Sequence, residues 1–79
     1  MKEPTEVEVR FDVEGHMTVL RFTWKRRRWP VVSEGRRRTT PEGFRVLVMT
    51  THERVYELDY NATNGQWHIV RASEERLSA

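Results

Sequence analysis

Apolar and polar residues alternate along most of the chain with the period of two that is typical of half-buried β-strands. The alternation is strictest over residues 7–13, where valine or phenylalanine occupies every second position and polar or charged residues fill the others. It recurs over residues 17–24, 55–60 and 66–72. Residues 44–50 are apolar on both faces, which favours a central strand. No helical period is sustained, so the pattern predicts an all-β fold.

A sixth, shorter strand is predicted over residues 29–33. Because Pro30 cannot donate to a hydrogen-bond ladder, this strand either begins at Pro30 or lies on an edge. Gly15 and the Asn64-Gly65 pair predict turns, the second one closing a hairpin. Six short strands about ten residues apart predict an antiparallel meander. In so short a chain the meander forms either a strongly bent sheet or a small SH3-like or OB-like barrel.

The length of 79 residues predicts a single domain, 1–79. Residues 1–6 and residues 73–79 are predicted to be frayed ends, although Ser73 could cap a short helical turn. Residues 33–43 combine glycine, proline and charge without periodicity, which predicts a mobile loop.

The alternation also predicts which residues form the core. A chain of this size buries only about 60% of its unfolded surface, so the eight aromatic residues must supply much of a thin core. The predicted core residues are Val9, Phe11, Leu20, Phe22, Trp24, Val46, Val48, Tyr56, Leu58, Trp67 and Ile69.

Positive charge is concentrated in the middle of the chain. Residues 21–45 hold nine of the fourteen Lys and Arg residues against two Glu, a net charge of +7, whereas the flanks carry −3 and −2. Twelve of the fourteen basic residues are Arg, whose planar fork binds two phosphate oxygens at once. A GC-rich genome would explain the choice of Arg over Lys equally well, but it would not explain the clustering.

Two arginine triplets, residues 26–28 and 36–38, bracket the short predicted strand and so lie about 20 Å apart along extended chain. A stripe of guanidinium groups with exposed aromatic rings is typical of single-stranded DNA or RNA binding. Trp29 is the better candidate for stacking, since Trp24 shares a face with apolar residues. The predicted nucleic-acid-binding residues are Lys25, Arg26, Arg27, Arg28, Trp29, Arg36, Arg37 and Arg38.

Two other interpretations of the triplets remain open. They could be solvated segments that pair with the acidic face of the first strand, formed by Glu6, Glu8 and Asp12. Alternatively, an acidic protein or a second copy of the chain could bind at the basic edge, which would make the protein an interaction module. The overall net charge of +2 is small for a dedicated nucleic-acid-binding protein.

Catalysis is not indicated by the sequence. There is no cysteine, no glycine-rich phosphate loop, and no metal-ligand spacing among His16, His52 and His68. We therefore expect a non-enzyme without cofactor or metal. No apolar run reaches about 18 residues and the start lacks the order of a signal peptide, so we expect a cytoplasmic protein with no membrane partner.

The aromatic and basic spacing over roughly residues 20–72 resembles a family of small bacterial all-β domains. The resemblance is carried by the stretches at residues 22–32, 55–60 and 66–71. Domains of that family stand alone or are attached to proteins related to Y-family, translesion DNA polymerases. The family has no established activity, so no catalytic residue is implied. The resemblance implies an association with DNA transactions.

Overall fold

The computed structural model describes residues 2–73, which form eight β-strands and no α-helix. The strands are β1 Glu3–Thr5, β2 Val7–Phe11, β3 Met17–Trp24, β4 Arg27–Pro30, β5 Ser33–Thr40, β6 Gly43–Met49, β7 Val55–Asn61 and β8 Gln66–Ser73. A single 3₁₀ turn, Thr51–Glu53, separates β6 from β7. The predicted all-β class is confirmed, whereas the predicted count of six strands is wrong. Within residues 2–73 no helix has the length and apolar character needed to cross a membrane.

The strands form two antiparallel sheets that share the core. One sheet has five strands in the order β1-β8-β7-β6-β5, and the other has three in the order β2-β3-β4. The chain passes between the sheets at two corners, through Glu6 and through Val31 and Val32. At the second corner Val31 N donates to Leu20 O of one sheet, and Val32 N donates to Met49 O of the other. The sheets do not close into the barrel that was one of the two predicted forms.

Two segments that were predicted to be irregular are strands. The predicted frayed start at residues 1–6 contains β1, which pairs with β8 and is tied to β3 by a hydrogen bond from Thr5 Oγ1 to Thr23 O. The predicted mobile loop at residues 33–43 contains β5 and a two-residue turn into β6. A polar, charged sequence is compatible with β5 because an edge strand needs little burial, and its charged side chains oppose pairing with another chain. Residues 74–79, which include most of the predicted C-terminal helical turn, lie outside the described residues.

The core is close to the predicted one. Eight of the predicted residues are buried: Phe22, Trp24, Val46, Val48, Tyr56, Leu58, Trp67 and Ile69. The prediction that Leu20 is a core residue is wrong, and Val19 takes its place. Glu8 pairs with Arg21 while Val9 pairs with Val19, so Leu20 is the extra residue of a β-bulge that shifts the alternation. Val9 is half-buried, and Phe11 is 61% exposed because it ends its strand.

The two predicted turns are confirmed. Gly15 and Gly65 both have positive φ, at 87° and 74°. In the first turn the backbone N–H groups of His16 and Glu14 donate to the Asp12 carboxylate, which lowers the pKa of Asp12. The second turn joins β7 to β8 and sets the register that pairs Asn61 with Gln66 and Tyr60 with Trp67.

Candidate functional site

The first basic cluster begins in the turn between β3 and β4. Lys25 and Arg26 form this two-residue turn, both with positive φ, at 52° and 67°. Such a turn normally holds Asn-Gly or Gly-Gly, because side chains with a Cβ are strained in the left-handed region. Both side chains are exposed. We call Lys25, Arg26 and Arg27 the hairpin patch.

Trp29 is engaged within the chain. Its Nε1 donates to Trp24 O at 3.2 Å, and the residue is half-buried against the core. The guanidinium carbon of Arg27 lies 6.0 Å from the ring centroid, and that of Arg54 lies 5.6 Å away. Each contact has the geometry of a cation–π interaction. The ring is therefore not the exposed platform that base stacking requires.

Arg28 lies on the opposite face of β4. Its Nη1 is 3.6 Å from Glu8 Oε2, and Arg21 binds the other oxygen of the same carboxylate. One of the open interpretations is that the arginines pair with the acidic face of the first predicted strand, which is β2 in the structure. This pairing is present between Arg28 and Glu8. Asp12, in contrast, lies beside His16. Exposed pairs of this kind add little stability.

The second triplet is divided between the two faces of β5. Arg37 pairs with the buried Val46 and lies on the core side of the sheet. Its Nη2 donates to Met17 O at 3.0 Å and to Glu34 Oε1 at 2.8 Å. The other oxygen of Glu34 accepts the Val19 N–H at 2.8 Å. We call this arrangement the Glu34–Arg37 bridge.

The Glu34–Arg37 bridge has a structural role. β4 covers only the second half of β3. At Met17 and Val19 the edge of β3 that faces away from β2 therefore has no neighbouring strand in its own sheet among residues 2–73. The bridge supplies the acceptor and the donor that a neighbouring strand would otherwise provide. Arg37 therefore joins the two sheets, which is a different task from the phosphate contact predicted for it.

Arg38 and Arg36 contribute to a concavity of about 240 Å³ on the outer face of the five-stranded sheet. Arginines from three strands line it, together with one glutamate and one leucine. We call the site the arginine basin; its lining is Arg36, Arg38, Arg45, Leu47, Glu57 and Arg71. Four arginines face Glu57 in the lining and Asp59 beside Arg45, which leaves an excess of positive charge.

Carboxylates anchor three of the four arginines. Glu57, whose side chain is only 13% exposed, lies 3.3 Å from Arg38 Nη2 and 3.9 Å from Arg71 Nε. Asp59 lies 3.1 Å from Arg45 Nε. Arg36 has no carboxylate oxygen within 4 Å among residues 2–73. A guanidinium has five N–H donors, so each anchored arginine keeps donors for an external anion.

Arg45 and Arg71 were not among the predicted site residues. Simple alternation would place Arg71 on the same face as Trp67 and Ile69. However, Glu57 pairs with Arg71 while Leu58 pairs with Ile69, so a bulge at Val70 moves Arg71 to the outer face. The charge of Arg45 and its place in the basic segment were visible in the sequence, but its neighbours were not.

No group of three or more His, Cys, Asp or Glu side chains that could hold a metal ion occurs among residues 2–73. The chain matches no protein-family model, no curated protein and no solved structure. The resemblance to the polymerase-associated β domains therefore stays a prediction.

Proposed function

We propose that the protein is a non-catalytic, cytoplasmic accessory module that binds nucleic acid through its phosphate groups. The arginine basin is the observation that carries this proposal. Guanidinium groups bind phosphate oxygens in pairs, and such charge-assisted hydrogen bonds are stronger than neutral ones. The excess of positive charge in one concavity favours an anionic ligand over a neutral one.

The hairpin patch supports the proposal as a second contact. Arg26 and Arg27 are exposed and have no carboxylate within 4 Å in the described part of the chain. The turn holds basic residues where glycine or asparagine would be less strained, and strain of this kind is found at functional sites. We propose that the patch contacts phosphates beyond those that the basin binds.

The proposed contacts are to the phosphates rather than to the bases. The predicted preference for single strands depended on stacking by Trp29, whose ring is engaged by Trp24, Arg27 and Arg54. Within residues 2–73 the one exposed aromatic side chain is Phe11. Phosphate contacts serve DNA and RNA and are largely independent of sequence.

Fluorescence anisotropy with labelled single- and double-stranded oligonucleotides tests the proposal. We expect log affinity to fall linearly with log salt between about 50 and 200 mM, with a slope near −0.7 per phosphate contact on single strands and near −0.9 on duplexes. Arg36→Ala should reduce the slope by about one contact. Lys25→Asn combined with Arg26→Gly should make the slope shallower by the equivalent of about two phosphate contacts, and it should also relieve strain in the turn.

Arg10→Ala is the matched control. Arg10, like Arg36, is exposed and has no carboxylate within 4 Å among residues 2–73, but it lies on β2 outside both basic surfaces. It should leave the affinity and the slope unchanged. If Arg10→Ala weakens binding as much as Arg36→Ala, binding follows the net charge alone and the basin is not the site.

One observation favours the alternative, a protein–protein module formed on an exposed strand edge. In the described part of the chain β2 pairs with β3 alone, and Phe11 and Val13 are exposed at the end of β2. Unpaired edges with exposed apolar residues are sites where a second chain can add a strand. Sedimentation velocity over a range of concentrations tests this form; a strictly monomeric species at high concentration contradicts a homodimer.

A further inference from the structure

The four arginines of the basin line one concavity. They come from three different strands, β5, β6 and β8, and line a single concavity of about 240 Å³. An internal phosphodiester carries a single negative charge, and the next charge lies further along the strand. A phosphomonoester carries about 1.5 to 2 charges and three strong acceptor oxygens on one phosphorus atom. Four arginines around one concavity suit a phosphomonoester better than an internal phosphodiester.

We infer that the arginine basin binds the terminal phosphomonoester of a nucleic-acid strand. The inference rests on the proposed function and gives its main site a more specific ligand. Arg36 and the unused donors of Arg38, Arg45 and Arg71 contact the three terminal oxygens. The hairpin patch is left for the internal phosphates that follow.

Two of the basin's arginines, Arg38 and Arg45, are oriented before any ligand arrives. Glu57 and Asp59 both point to the outer face of the sheet but are largely covered, with side chains 13% and 10% exposed. Arg38 donates a hydrogen bond to Glu57 and Arg45 donates one to Asp59, whereas Arg71 lies within ion-pair distance of Glu57. Fixing long side chains in advance reduces the entropy that is lost on binding. An anchored set of this kind selects a ligand of defined shape better than freely moving surface arginines would.

A strand end is favoured over a free phosphate or a phosphorylated side chain by the positive charge outside the basin. The exposed Arg26 and Arg27 offer further phosphate contacts that a single phosphate group bound in the basin would leave unused. Leu47, which lines the basin and is partly exposed, offers apolar surface to the sugar that carries the terminal phosphate. Both features fit a polyanion whose last group is a phosphomonoester.

The test compares oligonucleotides of one sequence that end in a 5′-phosphate, in a 3′-phosphate or in hydroxyl groups at both ends. An unphosphorylated oligonucleotide two residues longer controls for total charge, because each added phosphodiester carries one charge and the phosphomonoester about 1.5 to 2. We expect at least one phosphorylated form to bind about tenfold more tightly than the hydroxyl form, a difference of about 1.4 kcal/mol, because a phosphomonoester offers more charge and more acceptor oxygens to the arginines. Arg36→Ala and Arg71→Ala should each reduce this ratio, whereas Lys25→Asn with Arg26→Gly should weaken all forms and keep it.

The possible outcomes separate the inference from the proposed function. Equal affinity for phosphorylated and hydroxyl ends, with salt-dependent binding of both, overturns the inference and leaves the function. Tight binding of a phosphoserine peptide or a mononucleotide, without further gain from a longer strand, overturns the assignment to nucleic-acid ends. Absence of binding to every oligonucleotide at low salt overturns both.

Discussion

Phe22→Ala is expected to destabilise the fold by about 3–5 kcal/mol, whereas Phe11→Ala should cost less than about 1 kcal/mol. Phe22 is 1% exposed and its ring packs edge-on against that of Tyr56, with the centroids 4.9 Å apart. Phe11 is mostly exposed at the end of β2. A chain of 79 residues has a total stability of only about 4–12 kcal/mol, so the first change removes a large share of it.

Urea unfolding of the two phenylalanine variants measures this difference. Simple alternation along the chain would place both rings in the core, and it would predict similar losses of unfolding free energy for the two variants. A second pair of variants tests the cause of the difference: Val19→Ala should cost more than Leu20→Ala if the bulge at Leu20 is present. Similar losses for Phe11 and Phe22, or a larger loss at Leu20 than at Val19, would contradict the observed register.

Glu34→Ala is expected to destabilise the fold by about 1–3 kcal/mol. The change removes the acceptor of the Val19 N–H and the partner of Arg37 together, and an unsatisfied buried donor costs most of that amount. For a domain of this size each kcal/mol corresponds to a fall in Tm of about 4–8 °C. Hydrogen exchange gives a local measurement, because the Val19 amide should lose its protection in the variant.

Arg36 and Arg37 provide the matched control for the Glu34–Arg37 bridge. The two residues are adjacent, but Arg37 binds Glu34 and Met17 whereas Arg36 lies in the basin. Arg37→Ala should lower Tm with little effect on the salt dependence of oligonucleotide binding. Arg36→Ala should leave Tm nearly unchanged and reduce the salt dependence of oligonucleotide binding. Equal effects of the two variants on Tm would show that the bridge does not hold the sheets together.

The fold class and most of the core could be predicted because both depend on local alternation. Trp67 and Ile69, for example, are buried as the period of two requires. Leu20 could not be placed correctly, since a bulge depends on how β2 and β3 pair and has no marker in the local sequence. β5 was missed for a related reason: an edge strand bridged to the other sheet by Glu34 and Arg37 needs no apolar alternation.

The candidate site was predicted only in part. Clustering of arginine along the chain was informative for Arg36 and Arg38, which do line one concavity. The chain order could not reveal that Arg37 turns to the opposite face, because a bulge at residues 35 and 36 sets its orientation. Arg71 lies far from the basic segment in sequence and reaches the basin only through the register of β7 and β8.

The most direct test of phosphate binding at the basin is an NMR titration of the isotope-labelled protein with an oligonucleotide, followed at the arginine Nε–H groups. If the basin is the site, the resonances of Arg36, Arg38, Arg45 and Arg71 shift together and saturate at one concentration, those of the hairpin patch follow, and that of Arg10 stays in place. Uniform small shifts across all exposed arginines, or shifts confined to β2, would contradict the proposed site.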